Sequence, residues 1–247
     1  MDLVSVITPT HNLSKFISQT IESALAQTYI NFEMIIVDDL SGDNTKDIIR
    51  AYTEQDSRIK LIELKMNVGP ALARNIAIKE AKGRYIAFLD GDDIWLPEKL
   101  EKQIKFMSDN ALAFTYSSYY LMDEEGNSIG KFITKKNVSY YSLLKTNSIG
   151  CLTAIYDTNK IGKNMMPSIL KRQDYGLWLN ILKEIKTARG ILEPLAVYRL
   201  RKESVSSNKL IALKYVWKIY RDVEKLNIFT SIYYLCFYIY NGLRKYK

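Results

Sequence analysis

Behind the apolar run Tyr85-Ile86-Ala87-Phe88-Leu89 come three carboxylates in four residues, Asp90-Gly91-Asp92-Asp93. Carboxylates are hard oxygen ligands, and two of them one residue apart at a strand end can hold Mg²⁺ or Mn²⁺ while leaving coordination positions for phosphate oxygens. Gly91 would let the backbone come close to a ligand. A second acidic pair, Asp38-Asp39, closes the run Met34-Ile35-Ile36-Val37. An acid there can accept hydrogen bonds from a ribose hydroxyl or a base N–H. The plainer alternative is a cap for the turn at Ser41-Gly42-Asp43. His11 is the single histidine; with no Ser or Cys partner apparent, it reads as part of a loop.

Such residues act together only if the chain carries them to one place. The first hundred residues alternate β-branched runs with helical periodicity, the pattern of a parallel sheet covered by helices. It predicts strands over 3–8, 33–37, 59–64 and 85–89. Helices are predicted over 15–27, 45–55 and 70–81, opened by Ser14, by Asp43 or Asn44, and by Gly69-Pro70. In such sheets ligands sit outside the carboxyl ends of the strands. Pro9-Thr10, Asp38-Asp39 and the 90–93 cluster all fall at those ends, so three unusual tips converge on one edge.

The following half is less regular. A helix is expected over 97–108, a hairpin over 112–122 and 127–133, a short helix over 140–146 and a strand over 151–156. Residues 173–185 carry apolar side chains at amphipathic helical spacing, and 188–198 reads as a strand interrupted by Pro194.

Charge is distributed unevenly. The net charge is +8, and from Arg199 to Lys247 eleven Lys/Arg face three acids, while the rest balances at 24 of each sign. The body of the chain therefore needs no polyanionic partner and the tail could use one. An anionic lipid surface, a pyrophosphate-bearing acceptor and nucleic acid fit that charge. Residues 209–227 read as a basic amphipathic helix. The apolar stretch 228–243, rich in Tyr and Phe, falls short of the roughly 20 residues of a spanning helix and suits the membrane interface. Packing on the body or pairing in a homodimer is the alternative. Cys151 and Cys236 make no metal spacing, which fits a reducing compartment. The start Met1-Asp2-Leu3 lacks a signal-peptide pattern, so a cytoplasmic location is expected.

Several ordered blocks are more specific than any one of them. Val4-Ser5-Val6-Ile7-Thr8-Pro9-Thr10-His11-Asn12, Val37-Asp38-Asp39-Leu40-Ser41-Gly42-Asp43, Asn67-Val68-Gly69 with Ala73-Arg74-Asn75, Ala81-Lys82-Gly83-Arg84-Tyr85-Ile86 and Leu89-Asp90-Gly91-Asp92-Asp93 together resemble glycosyltransferase family 2. The resemblance spans roughly 3–200 and is weak beyond Ser207.

It implies an α/β fold of the GT-A type: a Rossmann-like nucleotide-binding half over 1–95, an acceptor half with mixed sheet over 96–207, and a helical tail over 208–247. It also implies a nucleotide diphosphate sugar donor, a divalent cation and inversion at the anomeric carbon. Carried over residue by residue, Thr10 and Asp39 meet the nucleotide while Pro9 shapes the loop. Arg74 lies near base or phosphates, Asp90 reaches the ribose side and Asp92 binds the metal, with Asp90 beside it as a second ligand. The family's acidic pair before an aromatic helix is matched by Gln173-Asp174-Tyr175-Gly176-Leu177-Trp178 with its first acid replaced, which leaves Asp174 as the catalytic base or, alternatively, as a helix cap. Where many relatives carry a His, this chain has Arg201, a cation for the leaving diphosphate but no metal ligand.

The acceptor expected is a polyprenyl-pyrophosphate-linked saccharide of O-antigen or capsule type, reached from the inner membrane face, with UDP-sugars favoured as donors. A dehydrogenase would need G-x-G-x-x-G after the first strand, which is missing, and a nucleic-acid module would leave the acidic tips unexplained.

Overall fold

The computed structural model describes residues 1–201 and 209–244. The first half is built as the periodicity predicts. Strands β1 (Val4–Thr10), β2 (Phe32–Asp38), β3 (Ile59–Glu63) and β4 (Tyr85–Phe88) pair in parallel in the order β3-β2-β1-β4. Helices α1 (Ile17–Leu25), α2 (Thr45–Gln55) and α3 (Pro70–Glu80) make the crossovers. β1, β2 and β4 are buried at every residue. Strands covered on both faces read as continuous apolar runs rather than alternating ones, which is why the sequence exposes them.

From β4 the sheet turns mixed. β5 (Ile94–Trp95), β6 (Phe114–Met122), β7 (Ser128–Phe132), β8 (Asn137–Ser139), β9 (Ile155–Asp157) and β10 (Thr187–Arg199) extend it, among the described residues, to ten strands, ordered β3-β2-β1-β4-β9-β6-β10-β5 with β7 beside β6 and β8 beside β10. The helices of this half are α4 (Lys99–Asp109), α5 (Tyr140–Lys145), α6 (Thr158–Ile161) and α7 (Gln173–Ile185). One apolar cluster lies on each sheet face, the larger running from Ile7 and Phe88 through Trp178 to Tyr220. The two halves expected on either side of residue 95 thus share one sheet. The boundary expected at 207/208 lies outside the described residues.

Several elements depart from expectation. Residues Cys151–Thr153 form a 3₁₀ turn, leaving only Ile155–Asp157 as strand. The carbonyls of Leu152 and Thr153 are taken by Trp95 Nε1 and Gln103 Nε2, at 2.8 and 2.9 Å, so they cannot join a ladder. α1 opens at Ile17 rather than after Ser14, so Phe16, which has no acceptor side chain, holds the N-cap position, while the Ser14 N–H donates to Asp43 at 3.1 Å. Pro194 does not interrupt β10. It sits where the pairing with β6 slips, which accommodates its missing N–H. The helix expected over 209–227 is α8 (Lys209–Lys218), which passes into a π-helical turn over Ile219–Val223, and α9 (Ile228–Arg244) follows after Lys225 takes a φ of +53°.

Candidate active site

Backbone hydrogen bonding draws two of the strand tips together. The Asp39 N–H donates to the Thr10 carbonyl at 2.8 Å. The Asp39 carboxylate, itself buried, accepts from the backbone N–H groups of Val68 and Gly69 at 2.7 and 2.8 Å. Gly69 adopts a φ of +82°, which favours glycine, and the chain then enters α3 through Pro70. Asp39 therefore fixes the start of the helix that carries Arg74. His11 serves the same loop, its Nδ1 lying 2.7 Å from the Asp39 carbonyl.

Asp38 faces inward. It is fully buried, and its oxygens accept from the Ser41 N–H at 2.9 Å and the Ser41 hydroxyl at 2.5 Å. That is the geometry of the turn-capping alternative. Asn44 holds the N-cap position of α2 without a side-chain hydrogen bond, and Asp43, just before it, accepts from the Thr45 N–H and hydroxyl. Burial pushes its pKa up, but hydrogen bonds from Thr45 and Ser14 outweigh burial and hold it at about 2.

Thr10 is buried with a hydroxyl that has no partner among the described residues, and the same is true of Arg74 Nε. A buried polar atom left unpaired costs stability, so these two are consistent with positions completed by a ligand. Arg74 Nη2 donates to Asp90 at 2.5 Å. Burial opposes the Arg74 charge, yet Asp90 keeps its pKa above the ordinary arginine value. Gly91 is needed for packing rather than for an open face: a Cβ there would meet Leu13 Cδ1 at 2.8 Å and the Pro9 carbonyl at 3.3 Å.

Asp92 pairs with Arg201 Nη1 at 2.9 Å. Burial, then the neighbouring Asp90, raises its pKa, against the pull of Arg201. Asp93 is buried, accepts from the Arg199 N–H at 3.0 Å and is pushed well above the usual carboxylate range by burial and then by Asp92 and Asp90. Arg199 is a residue whose importance the sequence does not signal. It donates to the Asp92 carbonyl at 3.0 Å and to Gln19 at 2.6 Å, and lies 4.8 Å over the Phe16 ring, clasping the end of β10 to α1 and the acidic turn.

Asp174 lies in the first turn of α7, where Arg172, with a left-handed φ of 63°, holds the N-cap position. The alternative of Asp174 as N-cap is thereby corrected. Burial raises the Asp174 pKa, while Arg172, the Tyr175 N–H and Arg74 pull it down and Asp90 pushes it up. The Cys151 thiol belongs to the same cluster: burial and Asp90 raise its pKa well above the usual value, and Arg74 opposes them. Pro9, Thr10, Asp39, Arg74, Asp90, Gly91, Asp92, Asp174 and Arg201 thus all fall at or beside the acidic sheet edge.

Among the described residues no three His, Cys, Asp or Glu side chains converge to hold a metal by themselves. Asp90 and Asp92 expose 26% and 24% of their side-chain surface, enough for a cation to reach both. Two carboxylates with the remaining positions open suit Mg²⁺ or Mn²⁺ completed by phosphate oxygens.

Residues 5–162 match the profile of Glycosyl transferase family 2. The chain belongs to glycosyltransferase family 2. Within the family it is 44% identical to a Bacillus subtilis (strain 168) glycosyltransferase, TuaG, provisionally named for teichuronic acid biosynthesis, over 98% of this chain and 97% of that one. It is 42% identical, over 98% and 94% of the two chains, to WfgD of Escherichia coli, a UDP-Glc:alpha-D-GlcNAc-diphosphoundecaprenol beta-1,3-glucosyltransferase. The structure of the mannosyltransferase PcManGT from Pyrobaculum calidifontis, in complex with GDP-Man and Mn²⁺, aligns with a TM-score of 0.68 at 18% identity over 94% of this chain and 69% of that one. The fold of this family 2 chain is accordingly of the GT-A type, and the activity class is glycosyl transfer.

Proposed function

We propose that this enzyme transfers a hexose or N-acetylhexosamine, with inversion, from a UDP-sugar to a saccharide carried on polyprenyl pyrophosphate, in the assembly of a surface polysaccharide such as an O-antigen or capsule. The observation that carries the reading is the acidic edge itself, where Asp90, Asp92 and Asp174 stand among Arg74, Arg172 and Arg201. WfgD, alike over nearly the whole chain, uses UDP-glucose and a diphosphoundecaprenol-linked GlcNAc, and that likeness supports both donor and acceptor class. A lipid-borne acceptor in turn supports work at the cytoplasmic membrane surface. Among the described residues no helix is long and apolar enough to cross a membrane.

In this reading Thr10 and Asp39 line the nucleotide's side and Arg74 meets the phosphates. Inversion requires one base on the acceptor side. Asp174 takes the proton of the acceptor hydroxyl as that oxygen attacks the anomeric carbon from the face opposite the diphosphate. Its raised pKa makes it a stronger base than an ordinary aspartate. Arg201 and Arg74 then stabilise the charge growing on the departing diphosphate. Asp92 and Asp90 would hold a divalent cation, whose chemistry there is Lewis-acid neutralisation of the same charge; the Mn²⁺ of PcManGT supports that use.

The test is a donor-hydrolysis screen across UDP-, GDP- and dTDP-sugars with and without Mn²⁺, since slow donor cleavage needs no acceptor. Release of UDP above background, stimulated by Mn²⁺, is expected. No nucleotide release from any donor would defeat the reading.

A further inference from the structure

The inner and outer faces of α9 differ in what they touch. Ser231, Tyr234, Leu235, Tyr238 and Asn241 turn toward the body: Ser231 is fully buried, Asn241 Nδ2 donates to the Lys145 carbonyl at 3.1 Å, and Tyr238 packs 6.0 Å from the Tyr175 ring. The Tyr238 hydroxyl accepts from Arg172 Nη1 at 3.0 Å, so this helix is tied to the turn that presents Asp174. The outer face repeats apolar residues at helical spacing. Phe229 is 82% exposed, Ile232 48% and Tyr233 51%, with Phe237 and Tyr240 continuing the row. Leaving such a contiguous aromatic stripe in water is costly, and a soluble helix ordinarily presents polar residues there.

A lysine beside the stripe and the basic segment that precedes it indicate what covers it. Lys145 Nζ lies 4.8 Å over the Phe237 ring and 6.0 Å from that of Tyr233. Lys214, Lys218 and Lys225 are exposed on the preceding helical segment, whose acids are the exposed Asp222 and the buried Glu224, the latter paired with Lys183. A second copy laid against this face would bring the same cations together. An anionic surface of apolar depth meets both features at once, with aromatic rings at the level of the headgroups and lysines among the phosphates.

We propose that the outer face of α9, from Phe229 to Tyr240, together with Lys145 and the exposed lysines of the preceding segment, docks flat on an anionic lipid monolayer, and that the Tyr238–Arg172 contact on its inner face orients the Asp174 turn toward acceptors held in that monolayer. This deepens the acceptor reading above and rests on it for its purpose. Vesicle binding itself is measured without donor or acceptor, so the two fail separately.

The experiment is flotation of the full chain with vesicles of phosphatidylglycerol and phosphatidylcholine, compared with phosphatidylcholine alone. Alongside the wild type stands the double variant Phe229→Glu/Ile232→Glu, whose fold is checked by circular dichroism and by donor hydrolysis. Wild type should float with the anionic vesicles and far less with the zwitterionic ones. The variant should lose binding by about tenfold or more for each apolar side chain withdrawn from lipid, with donor hydrolysis unchanged. Equal flotation of variant and wild type, or equal flotation on both lipids, overturns the proposal. So does a wild type that ignores vesicles but forms a dimer that the double variant abolishes, which would assign the face to a second copy. Donor hydrolysis that persists while flotation fails leaves the transferase reading standing.

Discussion

A carboxylate can serve as base at neutral pH only if it is ionised there and still holds enough affinity for a proton. Asp174 sits between these demands: burial lifts its pKa above the ordinary 3.8, and Arg172 and Arg74 stop the rise. In the proposed inverting reaction Asp174→Asn should lower turnover by roughly a hundred- to ten-thousand-fold while donor affinity stays within about twofold, since an amide cannot take the proton but fills the same space. The wild-type kcat should fall on the acid side with a midpoint above 3.8, because a base with a raised pKa is neutralised at higher pH than a free aspartate. Unchanged turnover in the variant, measured as product formed on a defined acceptor, would remove Asp174 from the reaction. Asp174 was singled out in the sequence through the resemblance of residues 173–178 to the family's acidic pair before an aromatic helix. Its surroundings were not. Arg172, Cys151 and Arg199 reach the site through a left-handed turn, a 3₁₀ turn and the last residue of a long strand, and none of these leaves a periodic mark.

At the scale of elements, loops hold the site as much as strands do. Asp39 receives two backbone N–H groups from the loop that opens α3, so one side chain of β2's tip sets the position of the helix carrying Arg74. Asp39→Asn keeps one acceptor and points an NH₂ group at the other N–H. It should destabilise the fold by about 1–3 kcal/mol in urea denaturation and weaken nucleotide binding together with it. Loss of nucleotide affinity with full stability would mean that Asp39 acts on the ligand alone. The parallel half was readable because strands buried on both faces and helices with a single buried stripe repeat at fixed periods. β5, β8 and α6 were missed since two to four residues cannot display a period. The break within 209–227 was missed because a π turn keeps the same residues apolar and changes only which carbonyl each N–H meets, as Glu224 does with Ile219.

For the molecule as a whole, the proposed cation has to enter an acidic edge whose charge is already balanced. Asp90 and Asp92 already have arginine counter-ions, so a free divalent cation gains little by displacing Arg74 or Arg201. In the proposed reaction a UDP-sugar changes this, because its diphosphate would bring negative charge for the arginines and oxygens for a metal. Stability of the whole chain reports the coupling, since any ligand bound only by the folded state raises the unfolding free energy by mass action. Mn²⁺ alone should leave Tm nearly unchanged. UDP at about a hundredfold excess over its Kd, with Mn²⁺ held constant, should add about 2.7 kcal/mol, or roughly 5–10 °C for a chain of this size. Arg201→Gln frees Asp92 of its partner, so Mn²⁺ alone should then raise Tm by about 2–4 °C, while the gain from UDP should shrink as a phosphate-binding cation is lost. If Mn²⁺ stabilises the wild type as well without nucleotide as with it, the metal has a complete site in the protein and Arg201 does not compete for Asp92. If the variant ignores Mn²⁺ as the wild type does, the ion pair is not what keeps the cation waiting for its diphosphate.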